Sequence, residues 1–409
     1  MRVLFSAGEV SGDVVGALLA KEISARRENV SLYGLGGPRM AEAGVDLLRD
    51  TNAFGSVGVS EALRVAPGLL RAFAALRRRV LASPPDVAVL IANDIFNVLL
   101  GRWLKRRGVK TVSLFPPQVW IWRSLAPLFV KSFDEVLACF PEEESAWREA
   151  GGSTTFVGHY LADALHAVTP DERDAARRRF GLDAGARVVA VLPGSRRLEV
   201  SRLLPELLGA AARLRADDPS IRFLLPLAAP FLAETLVREI RRAGLDGAVR
   251  RCDDSLAAMR AADLVLLASG TASLEAMLLG VPMVISYRVS KVTIAVVRTA
   301  IALKLIDSDT VGLPNLILGR RAVPELIQDR VSGPAIADEA RRLLRERDRE
   351  AALRRDLAEA SGRLLAGGSL ARAAEAVLGL AQGRHAAAPS HSAPSPLPVA
   401  EPAEERGGA

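Results

Sequence analysis

Cysteine and histidine are scarce: a chain of 409 residues carries two of the former and four of the latter. Cys139 and Cys252 lie far apart in short apolar runs, without C-x-x-C spacing. They read as reduced core thiols and exclude a disulfide framework or a thiolate zinc site. Two histidines fall in the C-terminal tail, which leaves His159 and His166 for the folded part, too few for a histidine-rich metal centre. Long apolar runs are also lacking. The longest, residues 292–306, is broken by Arg298 and Lys304 and makes a poor membrane span. Met1 leads directly into an apolar run, so no secretory signal and a cytoplasmic location are expected.

What is present suits a helix-rich α/β protein. Half the residues are hydrophobic and 5% are aromatic, a mixture that argues against disorder of the chain as a whole. The net charge of +7 suits nucleic acid, an anionic membrane surface or phosphorylated substrates. The arginines are dispersed and no nucleic-acid-binding motif accompanies them, so nucleic acid is not an expected partner.

This length exceeds what one core usually serves. In the first half RVLFSA, SLYGLGG, DVAVLIA, TVSLFP, EVLACF and STTFVG are short continuous apolar runs separated by helical patterns. Strands buried on both faces look like this. A second series, VVAVLPG, FLLPLA, VLLAS and PMVISY, begins at Val188 after a charged helical stretch. We therefore expect an α/β fold of two Rossmann-like, doubly wound domains facing a central cleft. They would span 1–165 and 166–380, the latter with the terminal helices, followed by a disordered Pro/Ala-rich tail at 381–409.

Two strand ends in the second half carry anion chemistry. LPGSR places Gly194, Ser195 and Arg196 where a buried strand meets a helix, so backbone N–H groups and a guanidinium can approach a phosphate. An ordinary strand-to-helix turn explains the same residues equally well. ASGTASLEAMLLG is stronger: Ser269, Gly270 and Thr271 sit at a helix N-terminus, where the macrodipole favours an anion. Glu275 follows one turn later among apolar neighbours and can accept both hydroxyls of a ribose.

These features resemble the glycosyltransferase-B architecture, and the likeness then narrows. AGEVSGDVVGALL (7–19), GLGGPRMAEAG (34–44), SVGVSEAL (56–63), PQVWIWR (117–123), FVGHYLAD (156–163), LPGSRRLEV (192–200), SGTASLEAMLLGVPMVISYR (269–288) and LPNLILGRRAVPELIQ (313–328) occur in the order seen in lipid-A-disaccharide synthases. The resemblance covers residues 1 to about 375.

It implies an inverting, metal-independent hexosyltransferase without a cofactor. Such an enzyme moves 2,3-diacylglucosamine from its UDP derivative to 2,3-diacylglucosamine 1-phosphate, yielding the β-1,6-linked lipid A disaccharide 1-phosphate and UDP. Gly194, Ser195, Arg196, Ser269, Gly270 and Thr271 would hold the diphosphate and Glu275 the ribose. Asn315 and Glu325 would stand near the donor. The catalytic candidates are Glu9, Asp13, Asp94 and Arg196, although Asp13 also suits a helix cap or first turn. The acceptor side would use Ser11, Gly12, Trp122, Arg123 and His159, with Gly16 also leaving room for a bulky substrate. Trp120 and Trp122 serve equally well as core residues.

The family usually reads D-A-P-D-F-N after the third strand of this pattern, its first Asp the leading candidate for the base; here the segment is Ala92-Asn93-Asp94-Ile95-Phe96-Asn97. Pro116 and Gln118 stand where the family has serines, and Tyr160 where it has proline. A divergent paralogue with a different lipid-linked sugar acceptor, or an inactive UDP-sugar-binding protein, is therefore the alternative, and a UDP-sugar 2-epimerase a third. Both family substrates carry lipid chains. The stretch 63–81 sets Leu69, Leu70, Phe73, Leu76 and Val80 near helical spacing among Arg71, Arg77, Arg78 and Arg79. It reads either as a helix in the interface of an anionic inner membrane or as one packed on the sheet.

Overall fold

A parallel strand covered by helices on both faces needs an unbroken apolar run, and VAVLI, VVAVL and LVLLA each form a strand with every residue buried. The computed structural model describes residues 1–51, 59–92, 94–117, 119, 125–183, 185–289, 294, 299, 310–364 and 367–384, with backbone alone for 59–65 and 94.

The first half runs β1 (Arg2–Ala7), α1 (Val10–Arg26), β2 (Ser31–Gly36), α2 (Pro38–Glu42), β3 (Asp46–Asp50), α3 (Val59–Ala82) and β4 (Val87–Ile91). It continues through α4 (Asp94–Lys105), β5 (Lys110–Leu114), α5 (Ala126–Val130), β6 (Glu135–Ala138), α6 (Pro141–Glu149) and β7 (Thr154–Phe156). The connectors α7 (Tyr160–Ala164) and α8 (Pro170–Arg179) lead into β8 (Val188–Leu192), α9 (Arg197–Asp217), β9 (Arg222–Pro226), α10 (Ala233–Arg242) and β10 (Val249–Cys252). Then come α11 (Ser255–Ala261), β11 (Leu264–Ala268), α12 (Thr271–Leu278), β12 (Met283–Tyr287) and β13 (Glu325–Ile327). Further helices span Leu313–Leu318, Gly333–Arg345, Arg347–Gly362 and Ser369–Ala381.

The strands form two parallel sheets, ordered β3-β2-β1-β4-β5-β6-β7 and β10-β9-β8-β11-β12-β13. Strand order reverses between β1 and β4 in one and between β8 and β11 in the other. Loops that leave such a switch point diverge to opposite faces and open a crevice at the carboxyl ends of the strands. The Gly8–Asp13 segment leaves β1, and Ala92 follows β4. The Pro193–Arg196 turn leaves β8, and Ser269–Gly270 follows β11. Glu9, Ala92, the Gly194–Arg196 turn and the Ser269–Thr271 turn thus each follow a strand at one of the two switch points.

Close packing fixes the first crevice. A Cβ on Gly16 would lie 2.7 Å from the Met40 sulfur, and one on Gly12 would lie 3.2 Å from the Ala7 Cβ. These glycines let α1 sit down on β1, β4 and α2. They face protein, which corrects the expectation that Gly12 and Gly16 make room for substrate.

The last helix departs from the expected division. Ser369–Ala381 was placed with the second half, yet it packs against α1, β4 and β5 of the first. Its buried stripe of Ala373, Ala374, Ala376, Val377 and Leu380 supplies the apolar contact. Asp163 anchors its start, accepting hydrogen bonds from Gly367 N (2.8 Å), Ser369 N (2.7 Å) and Ser369 Oγ (2.5 Å). Arg372 then donates from Nε and Nη2 to the Val157 carbonyl at 3.0 and 2.8 Å. Residues 385–409, the greater part of the expected disordered tail, lie outside the described residues.

Asp163→Ala removes this cap, at a cost of about 1 kcal/mol. Amide hydrogen exchange across Ser369–Ala381 should quicken, while that of β8 and β11 stays unchanged.

Candidate active site

At the end of β8 the chain must turn sharply into α9, and Gly194 does so at φ +104°. A Cβ there would fall 2.0 Å from a Glu199 carboxylate oxygen. Glu199 occupies that space because it sits three residues into α9 and reaches back over the turn, accepting the Ser195 N–H at 3.1 Å. Burial pushes its carboxyl up from the ordinary range, with the Arg196 charge opposing. Glutamate at this third helical position, returning to the backbone before the helix, makes the carboxylate half of a capping box, without a reciprocal bond from the Arg196 side chain. The spacing from Arg196 to Glu199 was readable in the sequence, and the residue was missed.

Arg196 points the other way. Its Nη2 donates to Glu9 Oε2 at 2.7 Å, joining the two halves across 187 residues of sequence. The two side chains are 40% and 27% exposed. Ser11 Oγ donates to the second Glu9 oxygen at 2.9 Å. Glu9 and Arg196 are the N-cap residues of α1 and α9, and neither side chain caps its own helix. Both are left to meet in the crevice.

At the neighbouring strand end, Gly270 precedes α12, whose first-turn N–H groups have no partner within the helix. Ser269 is held firmly. Its N–H donates to the Ser286 carbonyl at 3.0 Å and its hydroxyl to the Val311 carbonyl at 2.7 Å. Thr271 is exposed at the helix start. Among the described residues Glu275 has no hydrogen-bond or ion-pair partner, and burial alone pushes its carboxyl up to about 7. Tyr160, from the connector between the halves, stands nearby. Burial raises its hydroxyl to about 12, and the Glu275 carboxylate adds to the rise.

Asn315 and Glu325 act at one remove from this turn. Asn315 is 1% exposed. Its Nδ2 donates to Glu325 Oε1 (2.8 Å) and the Val323 carbonyl (2.9 Å), and its Oδ1 accepts the N–H groups of Ala322 and Val323 at 2.8 Å each. Glu325 accepts the N–H groups of Val311 (3.3 Å) and Gly312 (2.8 Å). The pair therefore pins residues 311 and 312, and the Val311 carbonyl in turn holds Ser269.

Asp13, a catalytic candidate, is 1% exposed. Its Oδ1 accepts from Gly37 N (2.9 Å) and Met40 N (3.0 Å), and its Oδ2 from Arg39 N (3.2 Å). It caps α2 from a neighbouring helix, so its carboxylate is turned inward and not toward the crevice. His159 is likewise internal. It stacks on Tyr160 (4.9 Å between centroids) beside Phe115 and Phe140, and its Nδ1 caps α7 by accepting the Leu161 N–H at 3.2 Å. Burial drives its pKa down to about 4, which leaves a neutral structural ring where an acceptor contact was expected.

Ala92 adopts φ +49° at the end of β4. A non-glycine residue there is strained by about 1 kcal/mol, least so for Asn or Asp. Asn97 holds the turn, donating from Nδ2 to the carbonyls of Ala92 (2.6 Å) and Ile91 (3.1 Å) while Ser6 Oγ donates to its Oδ1 (2.7 Å). Asp94 opens α4, and its side chain lies outside the described residues. So do Trp120, Trp122, Arg123 and Gln118. Among the described residues no group of three or more His, Cys, Asp or Glu gathers to hold a metal ion.

Two doubly wound parallel sheets whose switch points meet across a cleft define the glycosyltransferase-B architecture. UDP-GlcNAc 2-epimerase from Neisseria meningitidis, solved with UDP-GlcNAc, superposes with a TM-score of 0.65 over 92% of this chain and 100% of that one, at 13% identity. HepE from Anabaena, solved with UDP and glucose, gives 0.52 over 88% and 95%, at 17% identity. Sequence comparison is far closer. The family model described as lipid-A-disaccharide synthetase matches residues 3–377. The lipid-A-disaccharide synthase of Geobacter sulfurreducens is 40% identical over 378 residues, 92% of this chain and 96% of that protein. That of Xanthomonas oryzae pv. oryzae is 39% identical over 386 residues, 94% and 88% of the two chains. The chain belongs to the lipid-A-disaccharide synthase family.

A carboxyl raised above its ordinary value of 4.5 to about 7 binds its proton more tightly in the folded protein than in the unfolded one. Folding is then progressively disfavoured as pH rises from 4.5 to 7. Denaturant unfolding at pH 5 and pH 8 should show the wild type losing ~2 kcal/mol relative to Glu275→Gln; equal losses would contradict an unpartnered Glu275.

Proposed function

We propose that this chain transfers 2,3-diacylglucosamine from its UDP derivative to the 6-hydroxyl of 2,3-diacylglucosamine 1-phosphate, releasing UDP and the β-1,6-linked disaccharide phosphate. Membership of the family supports the activity. The observation that carries the residue assignment is the meeting of the two switch points at Arg196 and Glu9, 2.7 Å apart. The epimerases share the fold at 12–13% identity, whereas the synthases share the sequence along the whole matched length.

The donor diphosphate lies between the α9 and α12 N-termini. There Gly194, Ser195 and Arg196 on one turn and Gly270 and Thr271 on the other supply backbone N–H groups, helix dipoles and one guanidinium that stabilise the leaving group. This reading takes the metal-independent course. Glu275 accepts the two ribose hydroxyls; its lack of a side-chain partner among the described residues supports that role. Ser269, Asn315 and Glu325 position the turn. Glu9 lies across the cleft with Ser11 and is the described carboxylate best placed to take the acceptor proton in a single inverting displacement. Asp13 and Gly12 shape the loop that carries Glu9, and His159 shapes the connector. Trp122 and Arg123 keep their proposed acceptor-side roles from the family resemblance, and Asp94 stays a candidate for the base. The division into an acceptor-binding first half and a donor-binding second half follows, with Ser369–Ala381 fastened to the first.

No helix among the described residues is long and apolar enough to cross a membrane. Of the amphipathic stretch, Leu76 and Val80 are buried and Phe73 packs edge-on against Trp103, so much of it serves the sheet. Leu70 (69% exposed), Ile95 (76%) and Leu99 (62%) remain uncovered on α3 and α4. With Arg71, Arg77 and Arg78 nearby in α3, they suit a peripheral contact with an anionic inner-membrane surface and the acyl chains it presents.

UDP release from the two purified diacylglucosamine substrates tests the activity. Wild type should turn over, and Arg196→Ala should lose about 100-fold in kcat/KM. Ala92→Asp, which restores the carboxylate usual in the family at a φ that aspartate tolerates, should raise kcat if that position carries the base. Absence of turnover in both wild type and Ala92→Asp contradicts the synthase reading and leaves a UDP-sugar-binding protein.

A further inference from the structure

Two carboxylates engage the groups of the first diphosphate turn. Glu199 takes the Ser195 N–H at 3.1 Å, and Glu9 takes the Arg196 guanidinium at 2.7 Å. Glu9 follows the first strand of the opposite sheet and is the N-cap residue of α1, as Arg196 is of α9, and the two side chains meet between those helices. Charge, geometry and partner match what a donor phosphate would find there. The pair is partly exposed, at 40% and 27%, and an ion pair of that kind is weak enough to exchange its partner. A dianionic diphosphate offers Arg196 more charge and more acceptor oxygens than one carboxylate.

We infer that Glu9 is an intramolecular stand-in for a donor phosphate. It holds Arg196, and donor binding exchanges the Arg196 partner from carboxylate to diphosphate. The inference rests on the donor-site reading above and goes beyond it. Glu9 and the nucleotide compete for one guanidinium, so the group that faces the acceptor is released only when the donor is seated. Ser11, whose hydroxyl remains on the other Glu9 oxygen at 2.9 Å, keeps the freed carboxylate in the first crevice. No bond is made or broken in this step; two ion pairs are exchanged.

The competition makes an unusual demand on Glu9→Gln, which should bind UDP more tightly than wild type while turning over more slowly. Neutralising an exposed partner of this sort corresponds to about a threefold fall in the UDP Kd. Titrations of UDP, without acceptor, on wild type, Glu9→Gln, Arg196→Gln and the double variant separate the exchange from simple repulsion. Ligand-observed NMR reads these affinities into the millimolar range, and thermal unfolding checks that each variant is folded. The exchange predicts tightening on Glu9→Gln when Arg196 is present and no change when it is Gln. Weaker UDP binding by Glu9→Gln, or equal tightening in both backgrounds, would overturn the exchange while leaving the nucleotide site in place. A wild type that bound no UDP would overturn both.

Discussion

The two parallel sheets meet at the carboxyl ends of their switch-point strands, and the Arg196–Glu9 ion pair at 2.7 Å marks that meeting. Parallel strands demand helices between them, and those helices begin where the strands end. Topology therefore brings the N-termini of α9 and α12 to one switch point and that of α1 to the other, and the Arg196 and Glu9 side chains join the two. The unpaired N–H groups and aligned dipoles of these N-termini favour negative charge. What the sequence adds is local: a glycine where Glu199 must pass, an arginine at one N-cap, a glutamate at another, and an unpartnered Glu275 one turn into the third helix. A doubly charged leaving group is the ligand we propose for such a cleft.

The supporting residues act in series. Glu325 and Asn315 pin residues 311 and 312, the Val311 carbonyl holds Ser269, and Ser269 fixes the turn into α12. On the other side Asp13 fastens α2 beneath the loop that carries Glu9. Buried polar groups of this kind rigidify a site because each has its full set of partners. The strain at Ala92 is held in the same way, by Asn97 and Ser6.

Much of this was legible in the residues. Unbroken apolar runs announced parallel strands covered on both faces, and the turns at Gly194 and Gly270 were recognisable because a helix start directly follows a buried strand. Burial direction was not legible. Asp13 and His159 look like chemistry in a linear motif, but packing turns both inward, the first onto α2 and the second among Phe115, Phe140 and Tyr160. Gly12 and Gly16 look like clearance for substrate and are clearance for Met40 and Ala7. The return of Ser369–Ala381 to the first half depends on Asp163 and Val157, about two hundred residues earlier, a separation across which sequence periodicity carries no information. Glu199 was the readable residue that was passed over, since its distance from the helix start is a capping signal.

The central claim is that helix N-termini and Arg196, without a divalent cation, grip the diphosphate of the donor. Calorimetric titration of UDP and of uridine, each with and without EDTA, tests it most directly. The account predicts that UDP binds equally well in EDTA and that uridine binds at least about tenfold more weakly, since charge-assisted bonds to the diphosphate are lost. Loss of UDP binding in EDTA, or uridine binding as tight as UDP, would contradict it.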